Sequence, residues 1–156
     1  MKTLTPREAK QKIERYCAYQ ERSHQEVRNK LYDYGLYRND VDEILSTLIT
    51  DGFLNEERFA KAFTGGKFRM KKWGRIKIKH ALESKGLSAN CIRIGLKEID
   101  DGEYVSTLRQ LLEEKANILD IDDPFILRDK LSGYAIQKGY EPDLVWREIY
   151  SLMPKK

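Results

Sequence analysis

Residues 23–52, with the sequence SHQEVRNKLYDYGLYRNDVDEILSTLITDG, decide the fold. The stretch opens with a capping box at Ser23, which predicts that a helix begins there. Val27 and Leu31 lie one turn apart on the same helical face, and Gly35 stands where that helix should end. A second amphipathic segment follows at once. The stretch therefore predicts two packed helices joined by a short turn.

The same apolar pattern recurs twice along the chain. Its first copy consists of Val27, Leu31, Gly35, Val41, Leu45 and Leu48. A shift of 51 residues gives Ile78, Leu82, Gly86, Ile92, Leu96 and Ile99. A further shift of 53 residues gives Leu131, Ala135, Gly139, Val145, Ile149 and Leu152. Every apolar position stays apolar and the glycine stays glycine, which predicts three tandem units of about 50 residues, each with three helices.

The fold class expected from this pattern is all-α, with three tandem three-helix repeats that resemble helix-turn-helix units in an elongated, curved array. The predicted repeats span residues 1–53, 54–101 and 102–156, and the middle one is basic. Thr64-Gly65-Gly66 falls inside the first helix of the middle repeat. Because an internal glycine lowers helix stability by about 1 kcal/mol relative to alanine, we expect a break or hinge there.

Composition excludes several classes of protein. Of 156 residues, 40% are apolar and 35% charged, which is typical of a globular chain. The two cysteines lack the spacing of a zinc site or a disulfide scaffold, so no metal or other cofactor is expected. No apolar run reaches the ~18 residues of a membrane span, and the first residues lack a signal peptide's apolar segment, so we expect a cytoplasmic protein without membrane contact. Because catalytic motifs are absent, we do not expect an enzyme.

Positive charge is concentrated in the middle of the chain. Residues 1–100 contain 21 Lys and Arg against 14 Asp and Glu, whereas residues 101–156 contain 8 against 11. Nine basic residues and no acidic residue lie between Arg58 and Leu82. Such an excess predicts contact with a polyanion or an acidic protein surface. A solvated surface without a partner is the alternative.

The candidate contact surface combines the densest basic residues with one aromatic residue. Its members are Lys67, Arg69, Lys71, Lys72, Trp73, Arg75, Lys77 and Lys79. If Ile78 and Leu82 lie on the face of a helix that points to the protein core, Ile76 and Trp73 point away from that core. Cations around an aromatic ring suit a phosphate backbone with a stacked base, and they also suit an acidic protein. The alternative for Trp73 is a buried plug between two helices.

Three stretches resemble motifs of the RecX family of bacterial recombination regulators. Residues 21–31, ERSHQEVRNKL, are similar to the family's R-x-x-S-x-x-E-L-x-x-K-L helix, and residues 51–60, DGFLNEERFA, are similar to G-Y-L-N-D-x-x-F-A. The family's G-x-x-x-I-x-x-x-L-x-x-K-G-I pattern is matched by Gly74, Ile78, Leu82, Lys85, Gly86 and Leu87. The resemblance extends over residues 6–100, and residues 101–153 match by pattern alone.

The resemblance implies three tandem three-helix repeats and a regulator of the recombinase RecA in DNA repair and the SOS response. Such a protein would bind the RecA–single-stranded DNA filament and inhibit its ATPase and recombinase activities. The implied partners are the RecA nucleoprotein filament, single-stranded DNA and, more weakly, duplex DNA, and we expect a monomer. The competing hypothesis is a helix-turn-helix array that binds DNA directly and regulates transcription.

Overall fold

The computed structural model describes residues 3–153, and all the regular secondary structure in this range is helical. The helices within this range are α1 (Pro6–Tyr19), α2 (His24–Asp33), α3 (Arg38–Thr50), α4 (Glu56–Lys71), α5 (Arg75–Ser84), α6 (Ala89–Leu96), α7 (Asp101–Leu119), α8 (Pro124–Gln137) and α9 (Pro142–Leu152). The all-α prediction is confirmed. None of these helices combines the length and the apolar character needed to cross a membrane.

The chain divides into two compact units. The first contains the described residues up to Phe63 together with Leu82–Gly95. The second contains Thr64–Ala81 together with the described residues from Leu96 onward. Helices α4, α5 and α6 each contribute residues to both units. The boundaries of the three sequence repeats stay a prediction.

A reciprocal capping box begins α2, as the sequence predicts. The Ser23 hydroxyl accepts a hydrogen bond from the Glu26 N–H at 3.1 Å. A carboxylate oxygen of Glu26 accepts one from the Ser23 N–H, also at 3.1 Å. Thr5 and Glu8 make the same pair of bonds at the start of α1. Each box satisfies two donors that a helix start would otherwise leave without partners.

A left-handed glycine ends the second helix of each predicted repeat. Gly35, Gly86 and Gly139 have φ values of +90°, +81° and +102°. The N–H of each glycine donates to the carbonyl three residues before it. The N–H of the residue after the glycine donates to the carbonyl four residues before the glycine. This is the Schellman arrangement, and its threefold recurrence confirms the repeated pattern. The apolar positions of the pattern are buried except Leu96 and Leu152, which are half-buried.

The break predicted at Thr64-Gly65-Gly66 is wrong, because α4 continues through these residues to Lys71. Thr64 and Phe68 are buried one turn apart on the same face of α4. The Arg69 guanidinium covers the backbone at Gly65, where a Cβ would lie 2.5 Å from Arg69 Nη2. Burial of this face outweighs the intrinsic cost of the glycines, about 1 kcal/mol each.

The α4–α5 turn packs directly against the α8–α9 turn within the second unit. The Gly74 N–H donates to the Lys138 carbonyl at 2.8 Å, and the Ile76 N–H donates to the Gly139 carbonyl at 2.9 Å. A Cβ on Gly74 would lie 2.2 Å from the carbonyl carbon of Gly139. Gly74 is therefore required by the close approach of two backbones, since no side chain fits between them.

We expect Gly74→Ala to lower the free energy of unfolding by about 1–3 kcal/mol, because the added methyl group must displace the Gly139 backbone. The measurement is urea denaturation followed by circular dichroism.

Gly66→Ala is the matched control. Gly66 lies inside α4, and a Cβ there has no neighbour within 4 Å. This substitution should raise the stability by up to about 1 kcal/mol through helix propensity alone. Equal unfolding midpoints for the two variants would contradict the close packing at Gly74.

Candidate polyanion-binding surface

The turn that carries the basic residues is fixed by hydrogen bonds on both sides. Lys72 ends α4 in the left-handed region with φ +59°, a conformation that costs a non-glycine residue about 1 kcal/mol. The Lys72 N–H donates to the Phe68 carbonyl at 3.0 Å, and the Trp73 N–H donates to the Lys67 carbonyl at 3.3 Å. The Tyr140 hydroxyl donates to the Lys72 carbonyl at 2.9 Å. Burial raises the pKa of Tyr140, which keeps this hydroxyl protonated as a donor.

Trp73 lies between two lysine ammonium groups. The distances from its ring centroid to Lys67 Nζ and Lys77 Nζ are 5.0 Å and 4.6 Å. Both distances are within the range of a cation–π interaction. The indole is half-buried, so it is neither a fully enclosed plug nor a free aromatic ring. Its position holds two positive charges close together on the α4–α5 turn.

Arg75 faces acidic groups of the second unit. Its guanidinium pairs with Asp101 and lies 3.5 Å from a carboxylate oxygen of Glu141. It also stacks over the Tyr104 ring, 4.0 Å from the centroid, and the side chain is only 27% exposed. Two carboxylates therefore neutralise the charge of Arg75, which does not join the other cations.

A buried tyrosine fixes the backbone of Arg75 as well. The Tyr104 hydroxyl accepts the Arg75 N–H at 2.9 Å and donates to Glu141. Burial raises the pKa of Tyr104 far above its ordinary value, and the hydrogen bond to Glu141 raises it further. The hydroxyl therefore keeps the proton that it donates, and the start of α5 is held in place.

The remaining predicted cations lie on exposed positions of α4, the turn and α5: Arg69, Lys71, Lys72, Lys77 and Lys79. No carboxylate of residues 3–153 forms an ion pair with any of these five side chains. Together with Lys67 and Trp73 they form what we call the basic surface. The positive charge of the five exposed cations is left for an external anion to neutralise.

Lys138 also contributes positive charge beside the basic surface, and it is not among the residues predicted from the sequence. Burial lowers the pKa of Lys138, and the nearby charge of Lys77 lowers it further. Lys138 precedes Gly139 as Lys85 precedes Gly86, so the repeat pattern places it at a turn. Nothing local in the sequence shows that this turn packs against Gly74.

The chemistry of this surface is that of anion binding. It offers ammonium and guanidinium groups and part of an indole ring, which suit phosphates or carboxylates. Among residues 3–153, no cluster of three or more His, Cys, Asp or Glu side chains could hold a metal ion.

Two family models match this chain. The model for the first three-helix domain of RecX matches residues 9–48, and the model for the second three-helix domain of RecX matches residues 55–96. Together they cover more than half of the sequence.

Curated relatives carry the same family name. A protein named Regulatory protein RecX from Clostridium perfringens (strain 13) is 32% identical over 124 residues, which are 78% of this chain and 58% of the relative. One of the same name from Clostridium tetani is 25% identical over 136 residues, 86% of this chain and 60% of the relative. The chain thus spans somewhat less than two thirds of the length of these relatives.

Solved structures share the fold. The crystal structure of RecX from Lactobacillus salivarius has a TM-score of 0.85 at 24% identity and covers 94% of this chain and 96% of its own. A second crystal structure of regulatory protein RecX has a TM-score of 0.84 at 17% identity, with coverage of 94% and 71%. The domain matches, the related sequences and the shared fold agree, and the chain belongs to the RecX family.

Proposed function

We propose that this chain is a non-catalytic regulator that binds the RecA–single-stranded DNA filament and inhibits its ATPase and recombinase activities. Membership of the RecX family is the observation that carries the proposal. The relatives' printed name, Regulatory protein RecX, supports a regulatory role. The contact surface that we assign to this function is the basic surface.

Three properties of the basic surface support this assignment. Its five exposed cations have no carboxylate partner within residues 3–153, so an anion that binds them breaks no ion pair of theirs. The turn beneath it is hydrogen-bonded to the α8–α9 turn through Gly74, so the cations need little ordering of the backbone. Trp73 restrains two of the lysines further. We leave Arg75 out of the contact surface because its charge is already neutralised.

A nucleoprotein filament is a suitable target for such a surface. One exposed ion pair contributes only about 0–1 kcal/mol, so a single lysine cannot give useful affinity. A filament offers many phosphates and carboxylates at a regular spacing. Several weak contacts on one rigid surface therefore add to a stronger interaction.

The central prediction concerns RecA ATPase activity on single-stranded DNA. We expect the wild-type chain to inhibit ATP hydrolysis as it is titrated, with weaker inhibition at higher salt. The triple variant Lys71→Ala, Lys72→Ala and Lys79→Ala should need at least about tenfold more protein for half-inhibition, since three contacts of about 0.5 kcal/mol each are lost.

The matched control removes the same charge elsewhere. Arg7, Lys97 and Lys130 are exposed and lie outside the basic surface. Their combined replacement by alanine should leave inhibition within about twofold of wild type, because only long-range electrostatics change. Unimpaired inhibition by the first triple variant would exclude the basic surface. Failure of the wild-type chain to inhibit, combined with sequence-selective binding to duplex DNA, would favour the transcriptional alternative.

The salt dependence of binding to single-stranded DNA separates phosphate contacts from carboxylate contacts. If the three lysines contact phosphates, the triple variant should reduce the slope of log K against log [salt] by about 2, at roughly 0.7 per contact. Fluorescence anisotropy of a labelled oligonucleotide measures this slope. An unchanged slope together with lost inhibition would assign the lysines to acidic side chains of RecA.

Arg75 should behave as a structural residue. We expect Arg75→Gln to lower the free energy of unfolding by about 1–2 kcal/mol, because the stacking on Tyr104 and the pairing with Glu141 are lost. Inhibition of RecA by the folded variant should equal that of wild type. A loss of inhibition as large as that of the triple lysine variant would return Arg75 to the contact surface.

A further inference from the structure

We infer that the first unit carries a separate binding surface for single-stranded nucleic acid, built from tyrosines that alternate with basic side chains. We call it the tyrosine–cation ladder, and its members are Lys12, Tyr16, Tyr19, Arg22, Lys30 and Tyr34. It lies outside the basic surface, shares no residue with it and does not require RecA.

Each cation in the ladder lies near the ring of at least one tyrosine. Lys12 Nζ is 5.7 Å from the centroid of Tyr34, and Lys30 Nζ is 5.9 Å from the same centroid. Lys30 Nζ is also 5.4 Å from the centroid of Tyr16. The guanidinium of Arg22 is 3.7 Å from Tyr16. Cations and rings therefore follow one another in a continuous series.

The helices place these residues together for simple geometric reasons. Lys12, Tyr16 and Tyr19 follow one face of α1 at intervals of four and three residues. Arg22 lies in the following loop, where its Nε donates to the Tyr16 carbonyl at 3.0 Å. That bond and the ring beneath it hold the guanidinium in one place.

Two acidic residues near the ladder already have partners. Glu21 pairs with Arg58 at 2.6 Å. Glu26 accepts hydrogen bonds from the N–H and the hydroxyl of Ser23, and it lies 3.9 Å from Lys85. Helix capping and these ion pairs thus engage the carboxylates of Glu21 and Glu26.

The described part of the chain does not neutralise the cations of the ladder. No carboxylate of residues 3–153 forms an ion pair with Lys12, Arg22 or Lys30. Burial raises the pKa of Tyr16 and of Tyr34, so both rings stay neutral at physiological pH. The surface is a row of fixed positive charges, which suits a chain of phosphates.

Tyr19 distinguishes a nucleic acid from an acidic protein as the ligand. Its ring is 84% exposed at the end of the ladder, 6.0 Å from the Arg22 guanidinium. The carboxylates of an acidic peptide would pair with the cations but would not stack on this ring. A single strand offers phosphates to the cations and an unstacked base to the ring, whereas duplex bases are stacked on one another.

Binding of oligonucleotides with and without bases tests this inference. Fluorescence anisotropy compares labelled oligo(dT) with an abasic oligonucleotide of the same length, in the absence of RecA. The measurements use the chain with Lys71, Lys72 and Lys79 replaced by alanine, so that the basic surface contributes little. We expect tighter binding of oligo(dT), and we expect Tyr19→Ala to reduce that affinity by about fivefold. Binding of the abasic strand should not change.

Two control variants make the result specific. Tyr19→Phe keeps the ring and should keep the preference for oligo(dT). Tyr37 is equally exposed, at 84%, in the same unit but outside the ladder, so Tyr37→Ala should have no effect. Unchanged oligo(dT) binding by Tyr19→Ala would overturn the inference, as would equal losses for both strands. If poly-glutamate displaces the labelled oligonucleotide equally well from the chain with Tyr19 and from the Tyr19→Ala variant, the ligand of the ladder is an acidic protein instead.

The outcomes of this assay are independent of the RecA assay. Because RecA is absent, loss of the base preference leaves the proposed inhibition of the filament untouched. Conversely, a chain that fails to inhibit RecA can still show the preference that depends on Tyr19.

Discussion

The left-handed glycine after the second helix of each repeat is the constraint on which the architecture depends. Gly35, Gly86 and Gly139 reverse the chain at φ values that strain any residue with a side chain. The turn has the same hydrogen bonds each time, and the third helix begins three residues after the glycine in every repeat. The repeat therefore sets which apolar positions face the core: those eight and four residues before the glycine and those six, ten and thirteen residues after it. Leu96 and Leu152 are half-buried, and the other positions of the pattern are buried.

Gly139 has a second role that links this turn to the candidate site. A Cβ at Gly139 would lie 2.4 Å from the Cβ of Lys77, and its carbonyl accepts the N–H of Ile76. Gly74 packs against the same turn, where its own Cβ would lie 2.2 Å from the carbonyl carbon of Gly139. Two glycines therefore let the α4–α5 turn lie directly on the α8–α9 turn. The positions of the lysines on that turn follow from backbone packing and not from their own charges.

The sequence predicts features that depend on neighbouring residues and misses those that depend on distant ones. The capping box at Ser23 and the recurring glycines are local, and both are confirmed. Helix propensity predicts a break at Thr64-Gly65-Gly66, but tertiary burial decides the outcome there. The neutralisation of Arg75 requires Glu141, 66 residues away, and the placement of Lys138 requires the contact at Gly74. Patterns of residue spacing do not predict contacts between residues so far apart in the sequence.

Whether a basic residue is available for a ligand depends on what its side chain can reach. Arg75 and Lys77 are two residues apart, yet carboxylates neutralise Arg75, whereas Lys77 lies against Trp73 and pairs with no carboxylate of residues 3–153. Arg22 and Lys30 lie against Tyr16 in the same way. An aromatic ring restrains a cation without cancelling its field at long range, because a ring has a quadrupole and no net charge. Both units therefore present fixed positive charge at low ordering cost, which is the arrangement that a repetitive polyanion would engage at several points at once.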